Sequence, residues 1–364
     1  MIMTNEQKKN YLIQVFKFMR EHPDLDHEAT KRIIENILKS IDLSDQETRN
    51  SFKSFFILFK DIFDLNEEIV KAGVSLYFES FEAKLNIVRN ALIKHIAKGL
   101  VKIKKLEIAV EDYYSINDIK LILETVKDTV QVLTIKNIQS TEQNKFSKIL
   151  EKFLANNDVL VELTIWNVGL DSTKKMQNLA DGLQHAKNLQ ILKIPHNDFG
   201  EAGAKILAKG LQGNELITSL EVNSNYIRFE GFKHLADALK ENKTLISLNI
   251  SFNYIRTEET NAFFNALSNL QYVETLDISS NNLTVQNIKE LADFLKANKS
   301  VKTLNIAMNR TCFAGDAFDL FLEALEVNKT LTSLDIRETG LKTQDLDRLT
   351  KAIEKREVEL QIHR

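Results

Sequence analysis

The sequence has very little of the residues that make loops and covalent cross-links. Its 364 residues include 2 Pro, 11 Gly and 1 Cys. A single Cys excludes an internal disulfide and a cysteine-based zinc cluster, so an intracellular protein is the expected class. The scarcity of Pro and Gly excludes a loop-rich fold and predicts a regular one.

An excess of one charge and long apolar runs are also lacking. The chain carries 48 Lys and Arg against 51 Asp and Glu, for a net charge of −3. This balance offers no general attraction for nucleic acid, and no apolar run reaches the roughly 18 residues of a membrane-spanning helix. We therefore expect neither a nucleic-acid partner nor a membrane span. The composition, 43% hydrophobic and 27% charged, is that of an ordinary globular protein.

Residues 1–100 have the periodicity of helices. Five phenylalanines recur at a spacing that puts their rings on one face of a helix. They are Phe52, Phe55, Phe56, Phe59 and Phe63. We predict four or five helices here, packed as an all-α N-terminal domain that caps the rest of the chain.

From about residue 101 a longer repeat replaces this pattern. Its signature is LxxLxLxxN, and the five most regular copies are spaced by 28 residues, beginning at Leu189, Ile217, Leu245, Val273 and Val301. Weaker copies begin at Ile103, Val130, Leu160 and Leu331, and apolar alternation over 358–362 predicts a tenth strand. Between the strands, Leu residues four apart predict a helix in each repeat.

This pattern resembles the ribonuclease-inhibitor-like class of leucine-rich repeat proteins over residues 101–364. The resemblance implies an α/β solenoid of nine to ten repeats, with a parallel sheet on the concave side and helices on the convex side. It also implies a protein-binding scaffold, because members of this class usually bind other proteins through the concave sheet and its rims. The chain is also similar to leucine-rich repeat effectors that Legionella translocates, which act on host proteins in the host cytoplasm.

Two columns of Asn are assigned to the scaffold. The first column closes the strand motif and should bridge backbone groups of adjacent turns; it contains Asn197, Asn225, Asn253, Asn281 and Asn309. The second column follows the helices and contains Asn157, Asn214, Asn242, Asn298 and Asn328. Because Asn tolerates the left-handed conformation that ends many helices, we interpret the second column as helix caps.

Side chains that flank the buried Leu and Ile of each strand should point from the concave surface, because neighbouring strand residues face opposite sides. We predict a partner-binding site made of such residues and of the adjoining turns. Its members are Trp166, Lys193, His196, Glu221, Asn223, Tyr226, Asn249, Phe252, Tyr254, Asp277, Asn305, Asp335 and Arg337.

Two properties of this predicted site indicate its partner. The second half of the surface is small, polar and acidic, which favours a protein with a basic surface. The more specific hypothesis is that the aromatic residues of the site contact the partner, because Tyr and Trp contribute much of the binding energy at interfaces. The alternative is that Tyr226 and Tyr254 pack along the rim and stabilise its loops.

Motifs for catalysis are missing from the sequence. Cys312 has no His beside it that would lower its pKa, and the chain contains neither HExxH nor a phosphate-binding loop. We expect a monomer without catalytic residues, metal or cofactor. The alternative is a regulator of a small GTPase that resembles the Ran GTPase-activating proteins and uses an exposed Arg such as Arg228, Arg256 or Arg310.

Overall fold

The structure, a computed structural model, describes residues 104–109, 116–138, 141–255, 262–268, 270–310, 312–313, 316–356 and 358–363. These residues belong to one compact unit, 104–364. The helical domain predicted for residues 1–100 lies outside the described residues, as do Ile103 and Arg256.

Within the described ranges, ten parallel strands form one sheet in the order of the sequence. The strands are β1 Lys105–Ala109, β2 Val132–Lys136, β3 Glu162–Trp166, β4 Ile191–Lys193, β5 Ser219–Glu221, β6 Ser247–Asn249, β7 Thr275–Asp277, β8 Thr303–Asn305, β9 Ser333–Asp335 and β10 Gln361–His363. A described helix separates each strand from the next, which confirms the α/β solenoid, and the predicted tenth strand is present as β10.

The helices of the described part of the chain vary from 7 to 13 residues. They are α1 Ile116–Val126, α2 Gln143–Ala155, α3 Thr173–His185, α4 Gly200–Leu211, α5 Arg228–Leu239, α6 Ala262–Ser268, α7 Val285–Ala297, α8 Ala317–Val327 and α9 Thr343–Glu354.

The strand register follows the sequence repeat. Leu192 in β4 lies beside Leu220 in β5, and Leu220 lies beside Leu248 in β6. Each of these side chains is at most 2% exposed. Leu207 and Leu235 from the adjoining helices are buried to the same extent. No repeat could bury its apolar face alone, so stacking creates one continuous core between sheet and helices.

The first Asn column bridges adjacent repeats, as predicted. Asn253 is fully buried, and its Nδ2 donates to the carbonyl oxygens of Val222, Ile250 and Ser251 at 2.9–3.0 Å. Its Oδ1 accepts the backbone N–H of Asn225 at 2.9 Å. The other members, Asn197, Asn225, Asn281 and Asn309, donate in the same way to their own and the preceding repeat.

The second Asn column is not left-handed, and this part of the prediction is wrong. Asn298 and Asn328 do occupy helix C-caps, but their φ angles are −70° and −72°. Instead the side chain folds forward: Oδ1 of Asn328 accepts the N–H groups of Thr330 and Leu331 at 3.1 and 2.8 Å. These turns lead the chain from the helix into the next strand, so their geometry is set by that connection.

Candidate protein-binding site

The candidate site consists of two rows of side chains, which we call the central column and the ascending rim. The central column is the strand position whose members lie side by side in the sheet register: Glu107, Thr134, Thr164, Lys193, Glu221, Asn249, Asp277, Asn305, Asp335 and His363. The ascending rim is formed by the turn positions on either side of the first Asn column: His196, Asp198, Ser224, Tyr226, Phe252, Tyr254, Ser280, Asn282, Met308 and Arg310.

All the predicted site residues fall in or beside these two rows. Six lie in the central column: Lys193, Glu221, Asn249, Asp277, Asn305 and Asp335. Four lie in the ascending rim: His196, Tyr226, Phe252 and Tyr254. The remaining three, Trp166, Asn223 and Arg337, lie two residues beyond the central column, between it and the rim.

Lys193 is held between two carboxylates. Its Nζ lies 3.3 Å from Glu162 and 3.4 Å from Glu221. Partial burial lowers the pKa of Lys193, but the two ion pairs outweigh it and leave that pKa raised. Glu162 was not predicted as a site residue, although strand alternation places it on the concave face two residues before Thr164.

Asp335 is neutralised by Arg337 on the same strand end. The Nε of Arg337 donates to Oδ1 of Asp335 at 2.9 Å, and its Nη2 donates to Oδ2 at 2.5 Å. These hydrogen bonds hold the pKa of Asp335 below its ordinary value, against the opposing effect of partial burial. The carboxylate is therefore occupied within the chain.

Asp277 is the acidic residue of the central column that has no cation at ion-pair distance in the described part of the chain. Its Oδ1 accepts the N–H and Oγ–H of Ser279 at 2.9 and 2.6 Å, and its Oδ2 accepts Nδ2 of Asn305 at 3.0 Å. The negative charge of this half of the surface is thus smaller than its composition indicates, because Glu221 is paired with Lys193 and Asp335 with Arg337.

The side-chain amides of the central column accept hydrogen bonds from the residues that follow their own strands. Oδ1 of Asn249 accepts the N–H and Oγ–H of Ser251 at 2.9 and 2.7 Å. Oδ1 of Asn305 accepts the N–H of Ala307 at 3.0 Å. Much of their hydrogen-bonding capacity is therefore structural, while their half-buried side chains still border the concave surface.

Tyr226 and Tyr254 stack on each other in the ascending rim. Their ring centroids are 5.5 Å apart, with 5° between the ring planes. The residues are 51% and 55% exposed, and their φ angles are +56° and +55°. A left-handed conformation costs a residue other than Gly roughly 1–2 kcal/mol. Asn282 and Gly340, residue types that tolerate this conformation, take the same position in later repeats.

Phe252 and Met308 extend the apolar part of the rim. They occupy the turn position just before the buried Asn, with φ angles of +56° and +60°. Phe252 is 46% exposed and Met308 is 41% exposed. Met308 was not among the predicted binding residues, although the repeat places it two repeats after Phe252 in the same row.

Trp166 and His196 form a second exposed stack, with ring centroids 4.8 Å apart and 21° between the planes. They come from the repeats of β3 and β4, and Tyr226 and Phe252 come from the next two. Exposed aromatic rings therefore run through four consecutive repeats, and this continuity is the main feature of the candidate site.

The residues considered for catalysis, a Cys and exposed Arg residues, do not form a cluster of reactive groups in the described part of the chain. Cys312 is fully buried, and burial raises the pKa of its thiol to about 12, so it stays protonated near neutral pH. Arg310 is paired with Glu338 at 3.3 Å, and Arg228 is exposed at the start of α5. In the described ranges, no group of His, Cys, Asp or Glu is arranged to hold a metal ion, and no helix there combines the length and apolar character needed to cross a membrane.

No protein-family model and no curated protein matches the chain. Similar solved structures include the yeast Rad7–Elc1 complex, at 16% identity over 88% of this chain and 83% of that one, with a TM-score of 0.45. A Bacteroides fragilis protein shows 14% identity over 82% and 83%, with a TM-score of 0.44. The TLR13–ssRNA13 complex shows 19% identity over 63% and 30%, with a TM-score of 0.38. These similarities are too low to support a function.

Proposed function

We propose that the chain is a protein-binding scaffold whose partner contacts the ascending rim and, beside it, the central column. The observation that carries this proposal is the stacked pair Tyr226 and Tyr254. Both rings are more than half exposed in turns whose backbone disfavours them. A protein partner that buries the rings would provide the stabilisation that the isolated fold does not.

The size of the exposed rings fits this role. A Tyr side chain buries about 150–250 Å² when it is covered, and about half of each ring is still exposed. Covering roughly 100 Å² of ring would contribute about 2–3 kcal/mol of gross binding free energy at about 25 cal/mol per Å². A few such residues at the centre of an interface commonly dominate its affinity.

The ion pairs of the central column narrow the sequence-based prediction of a partner with a basic surface. Glu221 and Asp335 are paired within the chain, so a broadly basic partner gains little from them. Asp277 is the better anchor, and we propose that the partner places one Lys or Arg against it. As further parts of the proposal, the scaffold is monomeric, non-enzymatic and intracellular, and its partner is a host protein if the chain is a translocated effector.

The proposal is tested with the double variant Tyr226→Ala/Tyr254→Ala. Affinity purification with the wild-type chain first supplies a partner, and the dissociation constant of that complex is then measured for both proteins. We expect at least a tenfold weaker complex for the double variant, because two ring contacts are lost.

Tyr272→Ala is the matched control, because Tyr272 is 46% exposed but precedes its strand instead of following it. It should leave the affinity unchanged. If the double variant keeps its circular dichroism spectrum and binds as tightly as the wild type, the ascending rim is not the binding surface.

A further inference from the structure

The α9–β10 unit, made of α9, β10 and the turn that joins them, buries little apolar surface. Of the 12 residues of α9, only Leu349 and Ala352 are buried, whereas α7 buries seven of its 13 residues. In β10, Gln361 and His363 are exposed and Ile362 is half-buried. Segments with few buried apolar contacts open locally at a lower cost in free energy than the rest of a fold. The unit therefore depends on polar contacts to stay in place.

A buried guanidinium fastens this unit to the elements before it. Arg356 lies in the turn between α9 and β10 and is only 8% exposed. Its Nη1 donates to the carbonyl oxygen of Leu325 at 2.6 Å, and its Nη2 donates to that of Leu331. Its Nε donates to the carbonyl oxygen of Val358 at 3.3 Å, within the turn itself. Because Leu325 lies in α8 and Leu331 lies just before β9, one side chain ties the turn to both layers of the solenoid.

Arg356 stands where the second Asn column continues. One repeat earlier, Nδ2 of Asn328 donates to the carbonyl oxygen of Leu295 at 2.8 Å. Leu295 lies three residues before Asn298, and Leu325 lies three residues before Asn328. Asn328 and Arg356 therefore donate to equivalent carbonyl oxygens of consecutive helices. Arg356 differs in carrying donors only, and its longer side chain reaches further acceptors.

The charge of Arg356 is buried without a carboxylate to balance it among the described residues. Burial lowers the pKa of its guanidinium, and no ion pair opposes this effect there. The carbonyl oxygen of Leu325 belongs to the last turn of α8, where the helix dipole favours a cation. Local opening would return the charge to water and leave these carbonyl oxygens without their donor. Closure of the unit thus depends on how well this one side chain is paired.

We propose that Arg356 is the latch of the α9–β10 unit, in the role that Asn has in the second column. In the closed state His363 lies beside Asp335 and extends the central column. In the open state the N–H of Ile336 and the carbonyl oxygen of Thr332 lose their partners in β10. Because an uncovered strand edge can pair with other chains, the latch also protects β9. The inference is independent of the proposed function, since it concerns the chain without a partner.

Amide hydrogen exchange of the full chain, measured by mass spectrometry of its peptides, tests the latch. Arg356→Met keeps an unbranched side chain but has no donor. We expect the amides of α9 and β10 to exchange at least about tenfold faster than in the wild type, while those of β4, β5 and β6 are unchanged. Arg356→Asn restores the residue type of the second column. It should keep exchange within about threefold of the wild type, because Asn can pair with the carbonyl oxygen of Leu325.

Arg348→Met is the matched control, because Arg348 also lies in α9 but pairs with Asp319 at the surface. Exposed ion pairs contribute little to stability, so exchange in this variant should match that of the wild type. The proposal is overturned by unchanged exchange in Arg356→Met, or by equal acceleration in Arg348→Met or Arg356→Asn. It is also overturned if Arg356→Met accelerates exchange equally in β4–β6 and in the α9–β10 unit, so a variant that fails to fold counts against a local latch.

Discussion

The central column and the ascending rim belong to the same repeats, yet they use their side chains differently. In the column, Lys193 lies between two carboxylates and Asp335 is paired with Arg337, so these charges, unlike that of Asp277, are paired within the chain. In the rim, Tyr226 and Tyr254 contact each other and leave more than half of their surface exposed. A position on the concave side is therefore a poor guide to binding by itself. A better guide is a side chain whose charge or apolar surface is not covered by the rest of the chain.

The first Asn column, a ladder of buried side chains, lies between the two turn positions of the ascending rim, and breaking it should have the largest effect. Asn253→Ala removes the acceptor of the buried N–H groups of Asn225 and Ile227. It also removes one of the two amide donors to the carbonyl oxygens of Val222 and Ile250. Each unpaired buried group costs about 1–3 kcal/mol. We expect the free energy of unfolding to fall by about 3 kcal/mol or more, measured by urea denaturation.

Asn223→Ala is the control, since Asn223 lies two residues before the ladder on the concave side and is half-buried. It should change the free energy of unfolding by less than about 0.5 kcal/mol. Equal losses in the two variants would mean that the ladder is not a stabilising element distinct from the surface beside it.

Tyr254→Asn should separate stability from binding in the rim. Asn occupies the same position as Asn282 in the next repeat and tolerates its left-handed backbone. Relief of about 1 kcal/mol of backbone strain offsets the loss of ring stacking, about 0.5–1.5 kcal/mol. We expect a nearly unchanged melting temperature and a partner affinity that falls about tenfold.

A large drop in melting temperature for Tyr254→Asn would favour the alternative in which the tyrosines stabilise the rim loops. Asn282→Ala serves as the comparison, because it removes an Asn from the same turn position without removing a ring. It should lower stability through backbone strain and leave partner affinity intact.

Arg337→Gln should give the smallest effect, confined to the central column. The pKa of Asp335 is lowered by its hydrogen bonds with Arg337, and the charge of His363 adds to the shift. A lowered carboxyl pKa stabilises the fold above the ordinary Asp value of about 3.9, and this stabilisation is lost as pH falls through the lowered value. In the variant the pKa should move back up towards its ordinary value.

Carboxyl NMR of Asp335 measures this pKa, with Arg310→Gln as the control that leaves Asp335 paired. The difference in unfolding free energy between wild type and Arg337→Gln should be small, because the Arg337 side chain is largely exposed and solvent screens the pair. It should be present at neutral pH and vanish in acid. An unchanged Asp335 pKa in Arg337→Gln would show that the carboxylate is available to a partner after all.

The sequence by itself determined the scaffold of residues 104–363. The 28-residue spacing fixes which apolar residues are buried, and the same spacing brings Leu192, Leu220 and Leu248 side by side. It also predicts the buried Asn ladder, because a polar residue that recurs inside a core must find backbone partners in the neighbouring turns. A repeat determines its own register, so these features required no knowledge of distances.

Only the tertiary structure decided how the exposed residues are used. The pairing of Asp335 with Arg337 depends on side-chain directions, and the stacking of Tyr226 on Tyr254 also depends on the distance between repeats. The second Asn column shows the same limit: Asn suits both a left-handed cap and a forward turn, and its residue type cannot choose between them. The path of the backbone into the next strand selects the forward turn, in which Asn328 pairs the N–H groups of Thr330 and Leu331 just before β9.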